Sequence, residues 1–202
     1  MRKVCIYGAG AALAEPVIRR FQKDSETLIV RVFRTGPYND VAEADVIITL
    51  TGKVRNGLIG ELQQDDWRDS IEDNLVSVCK FLSRALPRMA NGGNVVVVGS
   101  IVGSTGGYGC ANYAAAKAGL VGLVRAAANE VASRKICVNM LELGYVDAGM
   151  GARLDADIRE RVLKTIPLRR FATTEEVADA VEYLAKIKYM TGNVLTLAGG
   201  LR

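Results

Sequence analysis

Short apolar runs rich in β-branched residues alternate along this chain with longer stretches of helical periodicity. Residues 3–7 (KVCIY), 28–34 (LIVRVFR), 45–50 (DVIITL), 94–99 (NVVVVG), 136–143 and 193–197 read as six strands. Most are continuously apolar, without the alternation of a half-solvated sheet, which is the pattern of strands covered on both faces. Between them, residues 12–23, 65–89, 113–133, 155–164 and 174–186 read as helices. The alternation predicts a parallel sheet with helices on both sides: a doubly wound, Rossmann-like α/β fold of six strands, formed as a single domain over residues 1–202. Thr173 with Glu176, and Thr174 with Val177, have the spacing of a capping box at the start of the last helix.

Pro16 lies inside the first helical stretch, and proline is tolerated there only in the first turn. The helix is therefore expected to begin close to Gly10. The Gly8-Ala9-Gly10 turn would then feed a helix N-terminus, where free N–H groups and the helix dipole favour a phosphate. A glycine turn alone also serves as an ordinary tight connection. Its place after the first strand of an α/β chain favours nucleotide binding.

Composition narrows the chemistry. The 202 residues are half hydrophobic, enough for the core of one domain. The 26 Lys and Arg against 22 Asp and Glu are scattered, which argues against a nucleic-acid partner. Cys5, Cys79, Cys110 and Cys137 lie far apart without a CxxC pair and read as reduced thiols of a cytoplasmic protein. The opening MRKVCIYGAG runs directly into a strand, so no leader is expected, and no apolar run has the length of a membrane span. There is no histidine, which excludes His-dependent triads and His-metal sites; no metal is expected. Proton transfer falls to Tyr, Lys, Asp, Glu, Cys or water. A serine hydrolase at Ser100 is excluded further because Gly99-Ser100-Ile101-Val102-Gly103 is not a G-x-S-x-G turn.

Tyr113 and Lys117 are four residues apart at the start of a predicted helix and share a face. Such pairs are common on solvated surfaces, but an ammonium beside a phenol also lowers the phenol's pKa toward a range useful for proton transfer. Ser100 closes the preceding strand at the carboxyl edge of the sheet, where ligands bind in open α/β folds.

With these residues, VVVVGSIVG at 95–103 and NYAAAKAGL at 112–120 resemble the catalytic core of the short-chain dehydrogenase/reductase family, especially its 3-oxoacyl-[acyl-carrier-protein] reductase branch. The similarity runs from Asp45 onward, through Asp73-Asn74-Leu75, residues 131–134 and 136–150, Pro167 to Phe171, and Thr191-Gly192 to Gly199-Gly200. The resemblance implies that Tyr113 gives a proton to a substrate carbonyl that receives a hydride from a nicotinamide. Lys117 would lower the Tyr113 pKa and hold the ribose hydroxyls, Ser100 would bind the carbonyl oxygen, and Asn74 would hold a water in a relay through Lys117. The cofactor positions it implies are Gly8, Gly10, Ala11, Leu13, Arg34, Thr35, Thr51, Gly52, Tyr113, Lys117, Gly144 and Val146. Arg34-Thr35 stands where a carboxylate would favour NAD, so NADP is the expected cofactor, with NAD the alternative. A homodimer or homotetramer and a ketone, alcohol or acyl-thioester substrate are also implied. Residues 145–154, with Gly149, Met150 and Gly151, are expected to form a mobile substrate-binding segment.

The chain departs from the family pattern in several places. Two glycines of the opening motif are Ala12 and Ala14, the Asn-Asn-Ala-Gly motif is Thr49-Leu50-Thr51-Gly52, and Pro-Gly is Leu143-Gly144 after an unusual Glu142. Ala148 replaces a threonine. Residues 36–44 are too few for the usual helical crossover, so one family strand and its flanking helices are expected to be missing. These departures keep open a second reading, a non-catalytic relative that uses the scaffold for binding or assembly.

Overall fold

The computed structural model describes residues 1–33 and 41–202. Its elements run β1 (Arg2–Tyr7), α1 (Ala14–Gln22), β2 (Thr27–Val32), β3 (Val46–Thr49), α2 (Gln64–Ile71), a π-turn (Glu72–Val76), α3 (Ser77–Ala85), β4 (Asn94–Ser100), α4 (Val102–Thr105), α5 (Ala111–Val131), β5 (Cys137–Leu143), α6 (Ala156–Thr165), α7 (Thr174–Lys186) and β6 (Val194–Leu197). The strands form one sheet in the order β2-β1-β3-β4-β5-β6, and every pairing is parallel.

The period of two sends alternate side chains to opposite faces. Cys5, Ile47, Val95, Val97, Val138 and Met140 pack with α3 and α5 on one face. Val4, Ile6, Val46, Ile48, Val96 and Leu141 pack with α1 and α7 on the other. Both faces are covered, which explains why the strands show no polar alternation. The chain passes from β1 to β2 on one side and then to β3 on the other, so the order reverses between β1 and β3. The crevice at their carboxyl ends is the ligand-binding position of such sheets.

Two boundaries differ from the expectation. The first helix begins at Ala14, not next to Gly10, because Ala11 N–H bonds Gly8 O and Ala14 N–H bonds Ala11 O, both at 2.9 Å, in a pair of turns. Pro16 is then the third helical residue and still within the first turn. The long predicted helix at 65–89 is divided by the π-turn at Glu72–Val76. At α7, Thr173 Oγ1 accepts from Glu176 N–H and the Glu176 carboxylate accepts from Thr173 N–H, the reciprocal capping box; Thr174 and Val177 take no part in it. All four cysteines are free thiols, and no helix among the described residues is long and apolar enough to cross a membrane.

Candidate active site

The strand–turn–helix connections deliver the sequence-predicted residues to the carboxyl edge. Ser100 is the last residue of β4, and its Oγ accepts from Val102 N–H at 3.3 Å. Tyr113 and Lys117 lie in the first two turns of α5, on its buried face. Tyr113 is 6% exposed, and Ser100 is near enough to act on its hydroxyl. Lys117 is 1% exposed; its Nζ donates to Thr51 O at 2.7 Å and stands 5.6 Å from the centroid of the Tyr113 ring. Gly52 faces the same group: a methyl group on it would lie 4.0 Å from Tyr113 Oη and 3.8 Å from Met150 Cε.

Electrostatics here differ from the sequence expectation. Burial pushes the Tyr113 phenol up to about 12; the Ser100 hydrogen bond acts in the lowering direction and Cys110 in the raising one. Lys117 does not favour the phenolate, because it is already neutral at the pH where so raised a phenol would ionise. Burial also brings Lys117 itself down to about 8. The phenol is therefore held protonated, beside a lysine that can titrate near neutrality.

Asn74 is fully buried within the π-turn, and its side chain is engaged by the backbone. Oδ1 accepts from Lys53 N–H at 2.9 Å, while Nδ2 donates to Lys53 O at 2.8 Å and to Ser70 O at 2.9 Å. It thereby clamps the residue after Thr51-Gly52. Sequence reasoning missed Asn112, which is fully buried. Its Oδ1 accepts from Tyr113 N–H at 2.7 Å and its Nδ2 donates to Asp66 O at 3.2 Å, tying the start of α5 to α2. An asparagine at a helix start was the available signal. Cys110, read from the sequence only as one of four thiols, stands at the N-cap position of α5 without a side-chain capping bond, is 9% exposed, and acts electrostatically on both Tyr113 and Tyr145.

The nucleotide end lies across the same crevice. Gly8 adopts φ +84°, and a Cβ there would sit 2.5 Å from Leu50 O, so the turn requires glycine. A Cβ on Gly10 would meet nothing among the described residues within 4 Å. Among the described residues, the N–H groups of Gly10, Ala12 and Leu13 have no backbone partner, and Thr51 Oγ1 is buried without a hydrogen-bond partner. Open space, free amides and an orphaned hydroxyl suit a pyrophosphate and a ribose. Gly144 is a packing position, where a Cβ would fall 2.8 Å from Ala198 Cα. Val146, 9% exposed, pairs with Ala172. Arg34 and Thr35 lie outside the described residues.

The segment after β5 is anchored at its base. Tyr145 stacks on Phe171 with centroids 5.3 Å apart, and the Arg159 guanidinium lies 4.3 Å from the centroid of the Phe171 ring while pairing with Asp147 at 3.1 Å. Further along, Gly149 reaches the opposite lip, where a Cβ would sit 3.2 Å from Ala12 Cβ.

A doubly wound parallel sheet with a glycine turn at its switch point and a serine–tyrosine–lysine set beside it has the layout of a nucleotide-binding α/β scaffold. Residues 38–202 match the family model described as enoyl-(acyl carrier protein) reductase. The chain is 39% identical over 167 residues to the 3-oxoacyl-[acyl-carrier-protein] reductase FabG of Salmonella typhimurium, a match covering 80% of this chain and 68% of that protein. Its fold matches a short-chain dehydrogenase/reductase from Serratia marcescens with TM-score 0.88 and 22% identity, over 98% of this chain and 97% of the other. A metagenomic blue fluorescent protein solved in complex with NADPH matches with TM-score 0.85 and 20% identity, over 98% and 97%. This chain therefore matches nearly the full length of both solved chains. The chain belongs to the short-chain dehydrogenase/reductase family, oxidoreductases acting on carbonyl and alcohol groups.

Proposed function

We propose that this protein is an NADP(H)-dependent carbonyl reductase of the 3-oxoacyl type, with Tyr113 as its acid/base. The observation that carries the reading is the buried Tyr113 phenol, within reach of Ser100 at the end of β4 and one turn from the buried Lys117 on the same helix face. The amides of Gly10, Ala12 and Leu13, with Ala11 and Gly8 shaping their turn, would hold the pyrophosphate of the cofactor. Thr51, Gly52 and Lys117 would hold the ribose beside the nicotinamide, with Gly144 and Val146 framing the ring. Arg34 and Thr35, at the end of the second strand in the sequence, would meet the 2′-phosphate of NADP. When bound, the nicotinamide supplies or accepts the hydride.

Ser100 binds and orients the carbonyl oxygen. Tyr113, protonated because burial raises its pKa, gives its Oη proton to that oxygen as the carbonyl becomes an alcohol. Lys117, titrating near 8 in the same buried site, would resupply the proton. The Asn74 side chain, engaged by Lys53 and Ser70, would position the Thr51-Gly52 segment rather than hold a relay water. In the reverse direction the same groups remove the alcohol proton. The matched FabG is named as a reductase of 3-oxoacyl groups on acyl carrier protein, which supports an acyl-thioester substrate. A homodimer or homotetramer in the cytoplasm fits the same family reading.

The test is titration of the protein with NADPH and NADH, followed by turnover of a 3-oxoacyl thioester. Selective NADPH binding with NADPH oxidation is the expected result. Failure to bind either nucleotide would move the protein to the non-catalytic reading, which the alanines at 12 and 14 motivate.

A further inference from the structure

Glu142 is the one charged residue of β5, and it is 3% exposed. A carboxylate removed from water is costly unless other groups replace its hydration. Among the described residues it has no salt-bridge partner, and both oxygens are instead satisfied by hydroxyls. Oε1 accepts a short hydrogen bond from Ser104 Oγ, and Oε2 accepts from Thr196 Oγ1 at 2.9 Å. The strand register sets Glu142 beside Gly99 of β4 and Thr196 of β6. One carboxylate therefore links the edge strand β6, the inner strand β5 and α4.

The element that gains most from this link is α4. It has four residues, too few to persist by its own hydrogen bonds. Its N-terminal end is continuous with Ser100, whose Oγ bonds Val102 N–H, and Ile101 N–H bonds Leu143 O at 2.8 Å. On the other side, a Cβ on Gly103 would lie 2.8 Å from both Ala118 N and Lys117 C, so α4 sits directly on the turn of α5 that carries Lys117. Ser104, the next residue, is the one held by Glu142. We propose that Glu142 is a positioning residue: its carboxylate fastens α4 between β6 and α5 and so fixes the Ser100 hydroxyl in register with the Tyr113 phenol. The proposal rests on the catalytic role given to Ser100 above.

A double-mutant cycle tests it, reading kcat for NADPH-dependent reduction of a 3-oxoacyl thioester. Glu142→Ala lowers kcat by roughly 10²-fold, the effect of about an ångström of misplacement, and leaves the NADPH Kd unchanged. Glu142→Gln, which can still accept from one hydroxyl and donate to the other, restores most of the rate. In a Ser100→Ala background Glu142→Ala costs nothing further, because the group it positions has gone. Hydrogen exchange reads the clamp without turnover: the Thr105 and Gly106 amides, bonded to Ile101 O and Val102 O, exchange faster in Glu142→Ala. If Glu142→Ala fails to fold, Ser104→Ala replaces it with the same expected non-additivity.

The same further loss in the Ser100→Ala background, or unchanged exchange in α4, would overturn the proposal. If Ser100→Ala alone keeps the wild-type kcat, the role of Ser100 falls first, a failure distinct from that of the clamp.

Discussion

Replacing Lys117 by methionine should produce a protein that is inactive yet as stable as the wild type or more so. Lys117 is 1% exposed and burial lowers its pKa from 10.5 to about 8. A change of that size corresponds to about 3 kcal/mol of unfavourable burial when the ammonium is charged. Methionine fills a similar volume without a charge, but it leaves the Thr51 carbonyl without its donor, a loss of about 1–3 kcal/mol. The net change at neutral pH therefore lies between zero and about 2 kcal/mol of added stability, equivalent to a Tm higher by up to roughly 4–8 °C in a domain of this size.

The pH dependence carries the signature of that reasoning. The folded pKa of Lys117 lies below its unfolded value, so between about 8 and 10.5 the unfolded chain binds the extra proton. Wild-type stability accordingly rises with pH across this window. Tyr113 acts in the opposite sense above 10, since its folded pKa is raised to about 12. Thermal unfolding by circular dichroism, with pH raised in steps through the window, should show the lysine slope in the wild type and its absence in Lys117→Met. Turnover should fall by about 10²-fold or more. A variant destabilised by more than about 2 kcal/mol at neutral pH, or one that keeps the wild-type slope, would refute the buried-charge argument.

Other consequences are equally direct. Ala12→Gly should tighten NADPH binding by about threefold to tenfold, equivalent to roughly 1 kcal/mol, because it removes a methyl from the phosphate turn; an unchanged or weaker Kd by fluorescence titration would contradict the phosphate-site assignment. Gly8→Ala should destabilise the fold by about 1–3 kcal/mol, since φ +84° and the 2.5 Å approach to Leu50 O leave no room for a Cβ; urea unfolding measures this. Thr173→Ala should lose about 1 kcal/mol through the α7 cap. Glu176 is held at about 2, first by Arg170 and then by the Thr173 N–H, so its contribution is full above its ordinary pKa of 4.5 and is lost as pH falls toward 2. Arg170→Ala should therefore flatten the acid limb of the stability profile, and an unaltered limb would count against the pair.

The fold was legible because the strands are short, apolar and β-branched, and the helices between them long. Residues 174–186 read as a helix to the residue, since its cap, its first-turn acids and its last lysine agree. The site was legible where chemistry depends on sequence spacing: Tyr113 and Lys117 share a helix face, and Ser100 ends a strand. What the sequence hid depends on long-range contacts. The π-turn at Glu72–Val76 has no local signature here, and neither does the attachment of Asn74 to Lys53. The start of α1 slipped to Ala14 because two successive turns take the residues after Gly10. The upward shift of the Tyr113 pKa was missed because the spacing suggested a charged ammonium beside the phenol, whereas burial acts on both groups, raising the phenol and lowering the lysine. Glu142 was visible as unusual, but its two hydroxyl partners lie 38 and 54 residues away.

The central claim is that Tyr113 completes hydride transfer to a carbonyl, and isotope transfer tests it most directly. The protein, saturated with NADPH deuterated at the transferring position, is mixed with a 3-oxoacyl thioester, and deuterium is followed into the carbinol carbon of the product. Wild type should transfer the label, while Tyr113→Phe should bind NADPH equally well and transfer it at least about 10²-fold more slowly. No label from the wild type, or equal transfer by Tyr113→Phe, would contradict the account.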